Sequence, residues 1–87
     1  GQAFSEPVFD GAFEIVNRRT VGERHLKLVV RAAGHERLLD AIAFNGDGVV
    51  PADAARVRLA YKLDVNDYRG RRSAQLLVEH VEAVDEL

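Results

Sequence analysis

The sequence predicts an all-β domain, a small barrel of five strands, from three observations. Apolar residues fall on every second position in the clearest segments, as at Val57, Leu59, Tyr61, Leu63 and Val65, which is the period of a half-buried strand. Gly22, Gly34, Gly46, Gly48 and Gly70 punctuate the chain between such segments, and no stretch carries the apolar spacing of a long helix. Finally, 87 residues at 47% hydrophobic composition supply one core and not two. A chain of this size buries roughly 60 to 65% of its unfolded surface.

Residues 1–11 read as an entry linker and 12–87 as the barrel. The first strand is expected over Ala12–Arg19, running into a basic loop that ends at Arg24. The second, His25–Arg31, sets Leu26, Leu28 and Val30 against Lys27, Val29 and Arg31, so it lies half buried. The third, Arg37–Phe44, has an ambiguous phase because Leu38 and Leu39 are both apolar, and it stops at Asn45-Gly46-Asp47-Gly48. Pro51–Ala55 is suited to at most one short helical turn between strands three and four, with proline near its start. The fourth strand is expected over Val57–Val65 and the fifth over Ser73–Val84. Asn66, Asp67 and Gly70 supply the turn between them, because Asn and Asp bond their own backbone and Gly tolerates positive φ.

Five short strands with a connector between the third and fourth match an OB-fold best, while a five-stranded sandwich or an SH3-like barrel shares the pattern. Charge adds a second layer. The net charge of −2 is not the footprint of a nucleic-acid binder, but its distribution is uneven. Residues 18–31 hold five bases and one acid, and residues 56–73 hold six bases and two acids, whereas residues 74–87 hold four acids and no base. In an OB-fold the ligand crosses strands two and three between the loops joining strands one to two and four to five. Those loops fall in the two basic segments. Their cationic edges are therefore expected to converge on one side as a cradle for a polyanion.

Other chemistries find little support. The chain has no cysteine, so neither disulfides nor a cysteine-held zinc staple the fold, and a reducing cytoplasm suits it. His25, His35 and His80 are scattered without metal-ligand spacing or a nucleophile beside them. Asn45-Gly46-Asp47-Gly48 lacks the acidic positions of a calcium loop and reads as a turn. No apolar run reaches the ~20 residues of a membrane helix, and residues 1–17 lack the positive-then-apolar order of a signal peptide. The opening, which starts at Gly1, has the look of mid-chain sequence, so the chain is expected to be a fragment of a longer protein.

Five blocks, in order, carry a family resemblance. Gly1-Gln2-Ala3-Phe4-Ser5-Glu6-Pro7-Val8-Phe9-Asp10-Gly11 is similar to a GQGFPEPLFDG-like linker, and Val21-Gly22-Glu23-Arg24-His25-Leu26-Lys27-Leu28 to a VGEKHLKL run. Asp40-Ala41-Ile42-Ala43-Phe44-Asn45 resembles DAIAFN, Ala60 through Gly70 resembles AYRLDVNEYRG, and Gln75-Leu76-Leu77-Val78-Glu79-His80 resembles QLLVEH. Together these resemble the OB-fold domain of the RecJ family, bacterial exonucleases specific for single-stranded DNA within the DHH phosphoesterase superfamily. Ala3 and Ser5 depart from a common glycine and a common proline, which touches the linker rather than the domain. The resemblance implies a parent enzyme that degrades single strands from 5′ to 3′ with manganese or magnesium. Those metals sit in catalytic domains whose DHH blocks do not occur in this chain, so no cofactor and no catalytic residue is expected in this fragment.

The expected nucleic-acid contacts follow. Arg69, Arg71 and Arg72 are placed to neutralise phosphates, with a solvated hairpin tip as the plainer account. Tyr68 offers a ring for a base to stack on, or folds back on its own hairpin. Arg18, Arg19, Arg24, Lys27 and Lys62 form a second set, for which ordinary surface charge is the commoner role. Gln75 is polar beside an apolar run and is suited to base edges or sugars. Tyr61 and Phe44 are expected in the core. The leading functional reading is a module that holds single-stranded DNA for the catalytic domains of the parent chain. The alternative is an architectural or docking element that closes the enzyme or receives a partner such as single-stranded-DNA-binding protein.

Overall fold

The computed structural model describes residues 7–46, 48–51 and 53–84, with the side chains of Asn66 and Tyr68 outside that set. Five strands follow in chain order: β1 Phe9–Val21, β2 His25–Ala32, β3 Leu38–Ala43, β4 Arg56–Tyr68 and β5 Arg71–Ala83. They close into a barrel in the order β1-β2-β3-β5-β4. Every adjacent pair is antiparallel except β3 with β5, which run parallel over Asp40–Ile42 and Gln75–Leu77. Closure removes the free edges that a five-stranded open sheet would leave. This is the all-β barrel that the alternation predicts, with no helix among the described residues. β1 takes in residues 9–11, and the chain makes a turn after Pro51, where the Ala54 amide donates to the Pro51 carbonyl at 3.0 Å.

Alternation fills the interior. Phe13, Leu26, Leu28, Val30, Ala41, Ala43, Val57, Leu59 and Leu76 point inward and are buried, joined by Val50 from the β3–β4 connector. In β3 the structure settles the phase. Leu39 pairs with Val30 and faces inward beside Ala41 and Ala43, which leaves Leu38, Asp40 and Ile42 outside. Val50 acts as a plug at one end of the barrel, the place where apolar contacts would otherwise be lost to water. The Asn45–Gly46 turn delivers it. A Cβ on Gly46 would lie 2.7 Å from the Ala43 Cβ and 3.0 Å from its carbonyl oxygen, so this close approach admits only glycine.

Two bulges reset the inside–outside phase. Between Ile15 and Asn17 the β1 register slips, so Val16 faces no partner on β2 and is exposed. One extra residue turns every later side chain to the opposite face. Arg18 therefore pairs with the buried Leu28 on the interior side, and Arg19 pairs with Lys27 on the exterior. A second slip, between Ala60 and Tyr61 of β4, leaves Glu79 of β5 as the extra residue.

The expected burial of Leu63, Val65 and Phe44 is corrected, whereas that of Tyr61 holds in part. Leu63 and Val65 carry the strand alternation, yet they are 46% and 54% exposed, because β1 pairs with β4 only as far as Tyr61. Beyond that point β4 has lost its β1 partner, and past Asp64 and Gln75, where β3 no longer pairs with β5, β4 and β5 pair only with each other among the described residues, as a two-stranded ribbon. Phe44 is 61% exposed rather than in the core. It sits just past the end of β3, where its ring meets His25 edge-on at 5.2 Å. Tyr61 is half-buried and packs on the core, edge-on to Phe13 at 5.7 Å and tilted against Phe9 at 5.8 Å.

Candidate functional site

Which cations are available is decided by the strand phase and by local partners. Arg18, turned inward by the β1 bulge, donates from Nη1 to the Pro51 carbonyl at 2.7 Å and from Nη2 to the Val50 carbonyl at 3.0 Å. It thus clamps the connector that plugs the barrel. Arg31 donates from Nε and Nη2 to Glu14 Oε1 across the β1–β2 pair, Arg58 pairs with Asp10 at 2.9 Å, and Arg72 pairs with Asp67 at 3.0 Å. By contrast, Arg19, Arg24, Lys27, Lys62 and Arg71 make no side-chain hydrogen bond or ion pair with the described residues. These five keep their full donor capacity for an external anion.

The register gathers several of the uncommitted groups on the outside of the barrel. One row across the strands reads Arg19 on β1, Lys27 on β2, Ile42 on β3, Leu77 on β5 and Lys62 on β4. The neighbouring row reads Asn17, Val29, Asp40, Gln75 and Asp64. A shallow hollow of about 170 Å³ lies where the two rows begin, lined by Asn17, Arg18, Arg19, Lys27, Val29 and Asp40. Strand spacing is ~4.8 Å, so each row continues around the barrel in steps of about one side chain.

The two basic loops do not converge. The β1–β2 turn lies beside the end of β3, where the Asn45 amide donates to His25 Nδ1 at 3.1 Å. The β4–β5 turn lies at the other end of the strands, because β4 runs antiparallel to β1 and extends past its start at Phe9. The cradle expected from their charge is therefore replaced by an outward strip that runs across the strands.

At the ribbon tip, Arg69 and Gly70 both have positive φ, at 52° and 79°. That is the conformation of a two-residue type I′ hairpin turn, whose twist matches the flanking strands. The three tip arginines diverge. Arg71 pairs with Tyr68 on the ribbon face that continues through Ser73 to Gln75, while Arg72 pairs with Asp67 on the opposite face. Arg69 sits at the turn itself. The stacking role expected for Tyr68 falls on a side chain outside the described residues.

Of the contacts expected from sequence, Arg19, Lys27, Lys62 and Gln75 share the strip, and Arg71 sits on the ribbon face that runs into it. Arg24 stands in the β1–β2 turn, Arg18 borders the hollow with its guanidinium bound to the connector, and Arg72 lies on the opposite phase. Sequence reasoning missed Asn17 and Asp40. The signal for Asp40 was its place in the middle of a strand, where aspartate is depleted. The signal for Asn17 lay in the Val16 bulge, which the alternation does not announce. Among the described residues, no group of three or more His, Cys, Asp or Glu side chains is arranged to hold a metal ion.

The chain as a whole is similar to known proteins of one family. Residues 1–80 match the family model described as the RecJ OB domain. A curated protein of Dickeya dadantii named single-stranded-DNA-specific exonuclease RecJ is 57% identical over 83 residues, which cover 93% of this chain and 14% of that protein. Proteins of the same name from Escherichia coli and Haemophilus influenzae are 51% and 47% identical, covering 93% and 99% of this chain and 14% and 16% of theirs. The chain therefore spans about one seventh of the length of the relatives it matches. Among solved structures, RecJ of Thermus thermophilus in complex with Mn2+ superposes with a TM-score of 0.64 at 25% identity, over 94% of this chain and 12% of that one.

Proposed function

The chain belongs to the RecJ OB domain family, and from that membership we propose that it holds single-stranded DNA for the catalytic domains of a longer exonuclease. The relatives that carry this domain are named for that substrate. In this reading the strand crosses the exterior of β2 and β3, the usual ligand face of an OB-fold. Arg19, Lys27 and Lys62 take phosphates, and Arg71 extends the path along the ribbon. Val29, in the neighbouring row, provides an apolar floor for bases beside the cations. The single observation that carries the proposal is the sorting of the cations. Arg18, Arg31, Arg58 and Arg72 are bound to the protein's own oxygens, whereas Arg19, Lys27 and Lys62 on the exterior row make no side-chain bond with the described residues.

Cleavage belongs, in the same proposal, to the parent's other domains, where manganese or magnesium would act. The enzyme would work in the bacterial cytoplasm. Titration of the 87-residue chain with a fluorescent single strand tests the contact surface. Log affinity should fall with log salt by about 0.7 per phosphate contact. Arg19→Glu with Lys27→Glu should weaken binding at least tenfold and flatten the slope, while Arg72→Glu should leave both nearly unchanged. Equal binding by the wild type and the double variant would refute the strip as the contact.

One observation favours a second role beside the first. Phe9, Leu63 and Val65 share a face with the half-buried Tyr61 and are 41%, 46% and 54% exposed. A contiguous apolar face of this kind suits packing against a neighbouring domain of the parent. That is the architectural reading. A shift of Leu63 and Val65 methyl resonances with added catalytic domains, and none with DNA, would support it.

A further inference from the structure

We infer that the strip reads bases as well as phosphates: Asp40, between Val29 and Gln75 in a row that begins at Asn17, selects nucleotides whose base edges carry amino donors, guanine first, and disfavours thymine. The inference rests on the single-strand reading above and goes beyond it, since phosphate contacts carry no sequence information.

Of the two acids in this row, Asp40 and the half-buried Asp64, Asp40 is the exposed one and lines the hollow beside Arg19 and Lys27. It stands on the exterior of β3, exposed, and no described side chain or amide bonds to its carboxylate. An ionised carboxylate offers acceptors only, and it repels phosphate. A strand crossing this face therefore turns bases, not phosphates, toward Asp40. The two rows have the right relation for that. Lys27 and Val29, neighbours in their respective rows, are two residues apart on β2, or roughly 7 Å of strand rise, about the reach from a nucleotide's phosphate to its base. Phosphates on the Arg19–Lys27 row place bases over the Asn17–Val29–Asp40–Gln75 row.

The base edges then differ in what they present. Guanine offers two adjacent donors, N1–H and the 2-amino group, which match the two oxygens of one carboxylate. Cytosine and adenine each offer one amino donor beside a ring acceptor. Thymine offers a single N3–H between two carbonyls, whose lone pairs face the carboxylate and oppose it. The side-chain amides of Asn17 and Gln75 carry both donor and acceptor, so they accommodate any base and contribute little discrimination. Asp40 is therefore the residue on which the preference turns.

The test uses fluorescence anisotropy with the whole 87-residue chain and three labelled strands of equal length. The strands are oligothymidine, the same strand with guanine at every third position, and that strand with hypoxanthine replacing guanine. The guanine strand should bind about tenfold more tightly than oligothymidine, within the range known for a bidentate base contact. Hypoxanthine, which keeps N1–H and lacks the amino group, should lose most of that gain. Asp40→Asn should bind oligothymidine more tightly than the wild type does and compress the guanine preference to about twofold. Equal binding of the guanine and thymine strands by the wild type would overturn the inference. So would an Asp40→Asn variant that binds every strand more tightly by the same factor, since Asp40 would then act only by repulsion. Failure to bind any strand at low salt would instead sink the single-strand reading, and the base preference with it.

Discussion

The two halves of β4 follow the same alternation and meet opposite fates. In the first half, Val57 and Leu59 are fully buried; in the second, Leu63 and Val65 are about half exposed. The difference is not in the residues but in their neighbours. β1 pairs with β4 from Arg56 to Tyr61 and closes the barrel there, while beyond Tyr61 β5 is its one strand partner among the described residues. A period of two determines which face a side chain takes, and only the elements packed over that face determine whether it leaves water.

Paired truncations break or sharpen this contrast. Leu59→Ala should cost about 2–5 kcal/mol, the range for a large-to-small change in a packed core. Leu63→Ala should cost about 1 kcal/mol or less, as for an exposed site. Urea unfolding measures both, and equal losses would mean that the ribbon is covered in solution.

Next in size is Gly70→Ala, which places a Cβ at φ 79° in the ribbon turn and should cost about 1–2 kcal/mol. Hydrogen exchange would report where that loss falls. Faster exchange confined to the ribbon amides would show that it opens independently of the barrel, and a uniform change would show that the two halves unfold together.

The smallest effect is expected from Arg72→Ala. It removes an ion pair with Asp67 whose side chains are 76% and 66% exposed, so thermal unfolding should register about 0.2–1 kcal/mol. A larger loss would indicate a packing role for the arginine stem.

Much of the fold was legible because strand alternation is a local signal. β2 was located to within one residue, from Leu26, Leu28 and Val30 against Lys27, Val29 and Arg31. The tip of the β4–β5 hairpin was announced by Gly70 alone, because Asn66 and Asp67, expected in the turn, pair with Ser73 and Arg72 as part of β4. The site was legible only in part. Lys27 and Gln75 lie where alternation puts them, but Arg18 and Arg19 exchange roles through the Val16 bulge, a register event that composition does not encode. Phe44 was assigned to the core on hydrophobicity alone. It lies past the end of β3, where no strand covers it.

What the sequence determined by itself was the all-β class, five strands, most of their inward residues and the two basic segments, since each of these depends on residues adjacent in the chain. Tertiary structure decided which cations stay open, that the basic loops occupy opposite ends of the strands, and that Asn17, Asp40 and Gln75 fall in one row. Those outcomes depend on pairing register between strands distant in sequence, and a one-residue slip in that register exchanges the interior of the barrel for its surface.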